Sequence, residues 1–264
     1  MRELDRSIRR PYPYATSHPL EEVDGRSLLK DLREPVASKP GFLHDRFREI
    51  KTYRHILAPA GIGPRLHAAG DGLLLIEKVG GTELWQIGEV ETWCRVARWL
   101  AGMHRALVVH ADAPWLLRYD ALWYRLWLDR ARAFAGDLGP VERVHEAAVK
   151  RLLALPRTVI HGELYPSNIL VAGERICPVD WEMAASGPGI VDLAALASGF
   201  NSEETEAILA AYGDADREAF ECARLHLAVR WLGWSRVWSP PPEHEHDWRS
   251  EARAAAERLG EALR

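Results

Sequence analysis

The sequence predicts an α+β fold in two lobes, a small antiparallel-sheet lobe with one helix followed by a larger, mostly helical lobe. Strand and turn signals dominate residues 1–78, whereas long amphipathic segments dominate from about residue 83 onward. A chain of 264 residues is long enough for two lobes, and no internal repeat or long linker interrupts it. We therefore expect a first lobe at 1–78 and a second lobe at 79–264.

The first lobe is predicted to consist of hairpins around one helix. RRPYPY and PLEEVD are typical of strand edges on either side of the polar turn ATSHP, and Asp24–Gly25 is a hairpin turn into the strand RSLLKDL. Apolar residues at helical spacing predict a helix over 44–61, which Pro59 and Gly61 end. Residues 65–79 are then predicted to form two strands around a Gly-Asp-Gly turn.

The second lobe is predicted to be helical, with one stretch of strands in its middle. TVI at 158–160 is a strand, and ILVAG and ICPVD form a hairpin around the turn AGER. A Pro-rich loop, PPPEHEH, precedes the last helix. The helices are predicted at 83–107, 119–136, 141–155, 190–199, 202–213, 216–238 and 248–264.

Composition and charge exclude several classes of protein. A net charge of −4 implies no general affinity for nucleic acid, and no apolar run approaches the roughly 18 residues of a membrane helix. The charged start MRELDRSIRR lacks the apolar core of a secretory signal. Cys94, Cys177 and Cys222 are far apart and odd in number, so we expect buried thiols in a reducing cytoplasm.

The segment HGELYPSNILVAGERICPVDWE, residues 161–182, concentrates polar side chains around a short apolar hairpin. Asn168 stands at the start of its first strand and Asp180 at the end of its second, and antiparallel pairing makes these ends neighbours. An amide oxygen and a carboxylate are ligands that suit Mg²⁺. Glu163 lies on the loop that leads to this mouth, where it could accept a proton from a substrate hydroxyl.

The pattern HGE at 161–163, Asn168 and DWE at 180–182 resembles the aminoglycoside phosphotransferase and choline kinase-like family, whose members are small-molecule relatives of protein kinases. The helix segment WLAGMH at 99–104 is also similar to the family. The resemblance implies a two-lobed protein-kinase-like fold. It implies transfer of the γ-phosphate of ATP or GTP, with Mg²⁺, to a hydroxyl of an antibiotic, aminoglycoside, nucleoside or related metabolite.

The same resemblance assigns roles to individual residues. It implies that Glu163 is the catalytic base and that Asn168 and Asp180 are the Mg²⁺ ligands. His161 is implied to be a structural anchor of the loop. Asp192, in GPGIVDLAAL, corresponds to a structural aspartate near the catalytic loop.

In the first lobe, Lys30 and Glu49 are the expected ion pair that holds the α- and β-phosphates, because a fixed cation offsets phosphate charge. Taken alone, each is equally typical of a surface charge. LLIEKVGG at 74–81 is placed like the hinge, where the backbone of Glu77 and Val79 would hydrogen-bond a purine edge. No GxGxxG loop exists, so Ser17 in the ATSHP turn is expected to contact phosphate from its position alone.

Glu163 departs from the family pattern, which usually has Asp at this position. Glu and Asp have similar acidity, but one extra methylene moves the carboxylate, and about 1 Å of misplacement can cost on the order of 10²-fold in rate. We therefore keep two hypotheses. The pocket is built around the longer arm and the chain is an active kinase, or the chain is a catalytically weak nucleotide-binding protein with a regulatory or assembly role.

Four residues are candidates for contact with the acceptor, and three of them have a structural alternative. They are Tyr165, Glu182, Arg230 and Trp234. Tyr165 and Trp234 could instead be packing residues, and Glu182 could pair with a nearby cation. The late segment AVRWLGWSRVW is basic and aromatic, whereas a polycationic aminoglycoside needs many carboxylates, so the pattern favours a neutral, flat or anionic acceptor. The histidines of PPEHEH have no metal-ligand spacing.

Overall fold

The structure is a computed structural model that describes residues 8–12, 18–213, 215–238 and 247–262. It divides into two compact units that are discontinuous in sequence. The first comprises the chain through Gly88 with Pro114–Leu116 and Pro166–Ala184, and the second comprises Glu89–Ala113, Leu117–Tyr165 and the chain from Ala185 onward. The lobe boundary at residues 78–79 stays a prediction.

A five-stranded antiparallel sheet forms much of the first unit. Its strand order is β1-β2-β3-β5-β4, and the predicted hairpin turns at Asp24–Gly25 and Asp71–Gly72 have the left-handed backbone that such turns require. Alternation along β3 and β5 buries Leu74 and Ile76 on the face that carries Lys30, whereas Leu29 is buried on the opposite face, opposite Leu75. The strands are β1 (Arg9–Pro11), β2 (Leu20–Val23), β3 (Ser27–Asp31), β4 (Leu66–Gly70) and β5 (Leu73–Glu77).

The helix predicted over 44–61 begins later than the spacing indicated. It comprises α1 (Arg48–Thr52), a π-helical turn at Tyr53–Leu57 and α2 (Ala58–Ala60), and it ends at Gly61 in the left-handed conformation. The delay has a local cause, because the Asp45 carboxylate accepts a hydrogen bond of 2.8 Å from Phe47 N and so replaces a helical backbone bond. Of the apolar face predicted for this helix, Ile50, Tyr53, Ile56 and Leu57 are buried, whereas Phe47 precedes the helix and is exposed.

The hairpin at 169–178 has a third strand that the sequence did not predict. β9 (Ile169–Ala172) pairs with β10 (Arg175–Pro178), and β6 (Thr82–Glu83) adds to its free edge. The prediction of a helix from residue 83 is therefore wrong at its start, since helix α3 begins at Val90. Gly81 permits the new pairing, because a Cβ there would stand 2.9 Å from Val171 O.

The second unit is built from helices around a small mixed sheet. β11 (Ala185–Pro188) runs parallel to β7 (Leu117–Arg118) and antiparallel to β8 (Arg157–Ile160). The sequence ASGP of β11 contains Gly and Pro and therefore gave no strand signal. The helices are α3 (Val90–Leu107), α4 (Ala121–Ala135), α5 (Pro140–Leu153), α6 (Ile190–Leu196), α7 (Ser202–Tyr212), α8 (Arg217–Trp234) and α9 (Trp248–Ala262).

Helix α8 is the central element of the second unit. Thirteen of its eighteen residues are buried, which marks a helix enclosed on most sides rather than one with a single apolar face. It packs against α4, α5, α6 and α9. Because these contacts surround α8, the polar residues along it must find partners inside the protein.

Two glycines in the second unit offer a matched test of this packing. A Cβ at Gly233 of α8 would lie 2.9 Å from the Trp127 ring and 3.1 Å from Trp127 O, whereas a Cβ at Gly102 of α3 would meet nothing within 4 Å. We expect Gly233→Ala to lower the free energy of unfolding by about 1–3 kcal/mol through overpacking. Gly102→Ala should raise it by about 0.5–1 kcal/mol by restricting the unfolded chain. Denaturant titrations measure both, and equal effects would contradict the close approach of α4 and α8.

Candidate functional site

Lys30 is a buried cation of the first unit, and two carboxylates hold it. Its ammonium donates to Glu49 Oε2 at 2.8 Å and forms a second ion pair with Asp180. The other Glu49 oxygen accepts a hydrogen bond of 3.0 Å from Trp181 N. Burial alone would lower the pKa of Lys30, but Asp180 and Glu49 outweigh burial and raise it, so the side chain stays charged. The structure thus brings together three of the residues predicted for the site.

The backbone of Asp180 is strained. Among the described residues other than glycine, positive φ occurs at Asp24, Asp71 and Asp180, and the first two precede glycine in hairpin turns. Asp180 instead precedes the short 3₁₀ helix Trp181–Met183, with φ 65° and ψ 63°. A left-handed non-glycine residue costs free energy and persists where surrounding contacts enforce it, often at functional sites. Here the enforcing contact is the ion pair with Lys30.

The predicted meeting of the hairpin ends is confirmed for the backbone. β9 and β10 pair in a register that sets Ile169 opposite Pro178, and Val179 N donates to Asn168 O at 2.9 Å just beyond the last pair. Asp180 follows directly, so the amide of Asn168 and the carboxylate of Asp180 start from the same mouth of the hairpin. Both residues are half-buried.

The donor set at this mouth fits a magnesium ion that is held largely by a substrate. Mg²⁺ binds in proteins through one or two carboxylates plus phosphate oxygens and water. Asn168 and Asp180 provide one amide oxygen and one carboxylate. Within the described part of the chain, no group of three or more His, Cys, Asp or Glu side chains is placed to hold a metal by itself. Mg²⁺ here would therefore depend on ligands that a substrate brings.

In the second unit, Asp192 organises the loop that carries Glu163. Asp192 is fully buried, and its two oxygens accept hydrogen bonds from His161 N at 2.7 Å and from Gly162 N at 3.0 Å. His104 Nε2 lies 3.2 Å from the same carboxylate. His161 Nδ1 in turn accepts a hydrogen bond of 3.3 Å from Glu163 N. The structure thus places Asp192 and His161 where the resemblance implies loop-anchoring residues.

Arg230 of α8 also holds this loop, which the sequence did not predict. Its guanidinium is 1% exposed and donates to Gly162 O at 2.5 Å, to Tyr119 Oη at 3.0 Å and to Tyr165 Oη at 3.0 Å. The same group lies 3.9 Å from Glu163 Oε1. A single arginine inside the apolar run LHLAVRWLGW was the available signal, because a buried guanidinium needs several acceptors.

The other predicted acceptor residues lie near a cavity or in the core. Trp234 is 3% exposed and stacks on Trp127 with ring centroids 5.6 Å apart, so its indole belongs to the core of the second unit. Tyr165 is half-buried and lines a cavity of about 280 Å³ together with Trp231. Trp231 Nε1 donates to Tyr165 Oη at 2.6 Å. A contact of Trp234 with the acceptor stays a prediction.

Glu182 pairs with cations of the first unit, the alternative noted from the sequence. It forms an ion pair with Lys39, and His18 Nε2 lies 3.1 Å from its Oε2. Arg48 Nη1 donates to its backbone oxygen at 2.8 Å. Burial, with a smaller contribution from Lys30, lowers the pKa of His18. Lys39 was missed because it lies in no recognisable motif, and His18 was missed because only Ser17 of the ATSHP turn was expected to contact phosphate. Ser17 lies outside the described residues.

The predicted hinge is tied to the hairpin through a side chain. Glu77 N donates to Arg65 O at 2.9 Å, so this N–H is already used within the first unit. Its carboxylate accepts two hydrogen bonds from Arg175 at 2.7 and 2.8 Å. This bidentate contact fixes the end of β5 to β10 within the first unit. Val79 follows outside any strand. Contact of either residue with a base stays a prediction.

The remaining expectations concern cysteines, histidines and membranes. Cys94, Cys177 and Cys222 are buried free thiols, as predicted. Burial raises the pKa of the Cys177 and Cys222 thiols to about 12, so both are inert at neutral pH. His244 and His246 lie outside the described residues. Across the described part of the chain, no helix has the length and apolar character needed to cross a bilayer.

The molecule has the features of a kinase-like phosphotransferase. These features are its two compact units, the lysine held by paired carboxylates and the loop that carries a buried glutamate. The chain belongs to the phosphotransferase enzyme family, whose family model matches residues 23–226. It is accordingly a small-molecule kinase. This confirms the resemblance and the enzyme class predicted from the motif at 161–182.

Similarity to individual proteins extends over most of the chain. A thiamine kinase from Escherichia coli O157:H7 is 25% identical over 218 residues, which cover 81% of this chain and 73% of the relative. Choline kinase LicA from Streptococcus pneumoniae has a TM-score of 0.70 at 16% identity and covers 98% of this chain and 95% of its own. The GDP complex of aminoglycoside 2′-phosphotransferase-IIIa has a TM-score of 0.62 at 15% identity, with coverages of 97% and 93%. At these identities, the structural likeness establishes the fold alone.

The pH dependence of the free energy of unfolding should report the contact between Glu77 and Arg175. The hydrogen bonds from Arg175 lower the pKa of Glu77 from 4.5 to about 2, so the contact stabilises the folded chain above pH 4.5 and is lost as pH falls toward 2. Both side chains are partly exposed, so we expect Glu77→Gln to cost only about 1 kcal/mol at pH 7.

Denaturant titrations at pH 7 and at pH 3 measure this effect. The difference between Glu77→Gln and the unchanged protein should shrink at the lower pH. Glu34→Gln, which alters an exposed carboxylate, is the control and should leave stability nearly unchanged. A loss that is the same at both pH values would contradict the role of the charged pair.

Proposed function

We propose that this chain transfers the γ-phosphoryl group of ATP or GTP, with Mg²⁺, to a hydroxyl of a small molecule. The observation that carries the proposal is the buried Lys30 joined to both Glu49 and Asp180. A lysine so held is an oriented cation, and phosphoryl transfer depends mostly on positioning and on neutralising phosphate charge. Solved relatives in complex with AMP and with GDP support a nucleotide as donor.

At the phosphate end, each polar group has a distinct task. Lys30 would contact the α- and β-phosphates, and Glu49 would keep its ammonium in place while phosphate replaces part of the contact with Asp180. Asn168 and Asp180 would hold the Mg²⁺, which supplies further neutralisation of phosphate charge when it is bound. The strained backbone of Asp180 supports this role, since an ordinary strand end would not need a left-handed residue.

At the acceptor end, Glu163 would orient the hydroxyl and accept its proton. Its side chain is nine-tenths buried and sits on a loop fixed at both sides. Asp192 binds the loop through backbone N–H groups, while Arg230 binds it through Gly162 O. The guanidinium of Arg230 lies 3.9 Å from the Glu163 carboxylate, so a fixed positive charge stands beside the proposed base.

Arg230 also offers a physical reason for Glu in place of Asp. The guanidinium donates hydrogen bonds to Gly162 O, Tyr119 Oη and Tyr165 Oη, and these bonds fix its position relative to the loop. Shortening residue 163 by one methylene would withdraw the carboxylate by about 1.5 Å. The longer side chain of Glu163 therefore keeps its carboxylate near a guanidinium whose position is set by other hydrogen bonds. A longer side chain beside a fixed cation favours an active kinase over a degenerate one.

The second hypothesis is a nucleotide-binding protein with little turnover, and the departure at Glu163 is the observation that favours it. The two hypotheses make opposite predictions for the purified chain with Mg-ATP. An active kinase is stabilised by nucleotide and releases or transfers phosphate. A non-catalytic relative is stabilised without phosphate transfer to any acceptor.

Substitutions at the two carboxylates should separate binding from chemistry. Asp180→Ala should abolish phosphate release and weaken the binding of Mg-ATP, because it removes a metal ligand and one partner of Lys30. Glu163→Gln should retain nucleotide binding while transfer falls by about 10²–10⁴-fold, the usual contribution of general-base catalysis. Calorimetry measures binding, and labelled γ-phosphate measures transfer. Unchanged turnover in Glu163→Gln would remove Glu163 from its role.

A double-mutant cycle should test whether Arg230 positions Glu163. We expect Arg230→Lys to lower kcat by roughly 10²-fold with little change in nucleotide KM, because one ammonium cannot replace the fork that holds the loop. In Glu163→Gln the same change should cost much less, which gives a coupling energy of about 1–3 kcal/mol.

Tyr119→Phe, which removes one acceptor of Arg230 and leaves Glu163 intact, is the matched control and should give a smaller loss. Additive effects of Arg230→Lys and Glu163→Gln on kcat would show that Arg230 supports the fold alone.

A further inference from the structure

The second unit contains a cavity whose lining limits the chemistry of the acceptor. Its volume is about 280 Å³, and Tyr165, Phe200, Trp231 and Trp248 form its aromatic walls. Trp231 and Trp248 are stacked with ring centroids 5.4 Å apart and planes at 14°, and both remain half-buried rather than fully enclosed. Stacking covers one face of each indole, so a ligand in the cavity would meet the remaining, partly open apolar surface of the pair.

The cavity is linked directly to the loop that carries Glu163. Tyr165 follows Glu163 by two residues, and its N–H donates to Glu163 O at 2.8 Å. Its hydroxyl accepts hydrogen bonds from Arg230 and from Trp231, so one side chain joins the cavity wall to the guanidinium beside Glu163. A molecule resting on the indoles would therefore lie against the residues that position the proposed base.

Among the described residues at the cavity, positive and negative charges balance, which disfavours a polycation. Arg224, Arg258 and Glu251 line it. Glu221, behind them, accepts hydrogen bonds of 3.2 Å from Arg224 and 2.8 Å from Arg258. Two arginines and two carboxylates sum to zero, whereas a ligand with several ammonium groups needs an excess of carboxylates and would be repelled by the arginines. The indoles can accept one positive charge over their faces.

From these observations we infer that the acceptor is a flat aromatic or heteroaromatic alcohol with at most one charge, stacked on Trp231 and Trp248. The inference rests on the proposed phosphotransferase function and specifies its acceptor class. The ring binds the indoles, and its hydroxyl arm extends along Tyr165 toward Glu163. Aliphatic alcohols lack the ring that would bind the indoles, and polycationic alcohols carry too many positive charges for the cavity.

Four probes separate the contribution of the ring from that of charge. Thiamine is a singly charged heteroaromatic alcohol and pyridoxine a neutral one, whereas choline is a charged alcohol without a ring and kanamycin is a polycation. Calorimetric titration of the full chain with each probe measures binding without requiring turnover. Transfer of labelled γ-phosphate is measured separately. We expect thiamine or pyridoxine to bind and accept phosphate, and choline and kanamycin to do neither.

Trp248→Leu is the decisive variant, because Trp248 contributes one of the two stacked indoles and is not part of the loop that carries Glu163. It should weaken binding of the heteroaromatic probe by about tenfold or more, and Trp248→Phe should restore much of it. Trp85→Leu, which alters a 58% exposed tryptophan of the first unit, is the matched control and should bind like the unchanged protein.

The outcomes distinguish the acceptor class from the kinase proposal. Phosphate transfer to choline or kanamycin, with both ring compounds inert, overturns the acceptor class and leaves the kinase. No calorimetric binding of either ring compound up to about 10 mM, or equal binding by Trp248→Leu, also overturns the acceptor class. Binding that Trp248→Leu weakens, without transfer of phosphate to any probe, supports the cavity and contradicts the kinase proposal.

Discussion

The charge on Lys30 is the constraint on which the first unit depends. An ammonium group that is 4% exposed loses most of its hydration, and burial of an unpaired charge would cost several kcal/mol. Glu49 and Asp180 compensate that loss, and they come from elements far apart in sequence. The helix α1 and the end of the hairpin must therefore lie beside β3 for the lysine to remain charged. Removal of either carboxylate would leave a buried charge incompletely compensated. This would destabilise the fold more than the absence of all the charged partners would.

Both units use the same device to fix a functional loop, a buried carboxylate that accepts hydrogen bonds from backbone N–H groups. In the first unit Glu49 binds Trp181 N next to Asp180, and in the second Asp192 binds His161 N and Gly162 N next to Glu163. A charged acceptor makes these bonds stronger than those between neutral groups. Because the bonds are made to backbone, they hold each loop without occupying the side chains that we propose to carry the chemistry.

The sequence predicted those parts of the molecule that local patterns determine. The Asp-Gly turns, the alternating strands and the ends of the hairpin at 169–178 follow from residues close in sequence, as did the proximity of Lys30 and Glu49 once the family resemblance was recognised. The strand at Thr82–Glu83 and the strand at Ala185–Pro188 were missed, because each owes its conformation to a partner distant in the chain. Tertiary pairing decided these segments against their own propensities.

Arg230 shows why a site can be only partly predicted from its motifs. Its position among tryptophans suggested contact with a substrate, and the helical spacing was correct, but spacing along α8 does not reveal which loop the helix faces. In the structure its N–H groups are directed to the loop at 162–165. A buried arginine that binds a backbone carbonyl and two phenols is a rigid reference point, and Glu163 is set against it at 3.9 Å. A glutamate at residue 163 places its carboxylate nearer to that fixed cation than the shorter side chain of an aspartate would. A motif comparison alone classifies Glu163 as a deviation, whereas its surroundings make it one half of a matched pair.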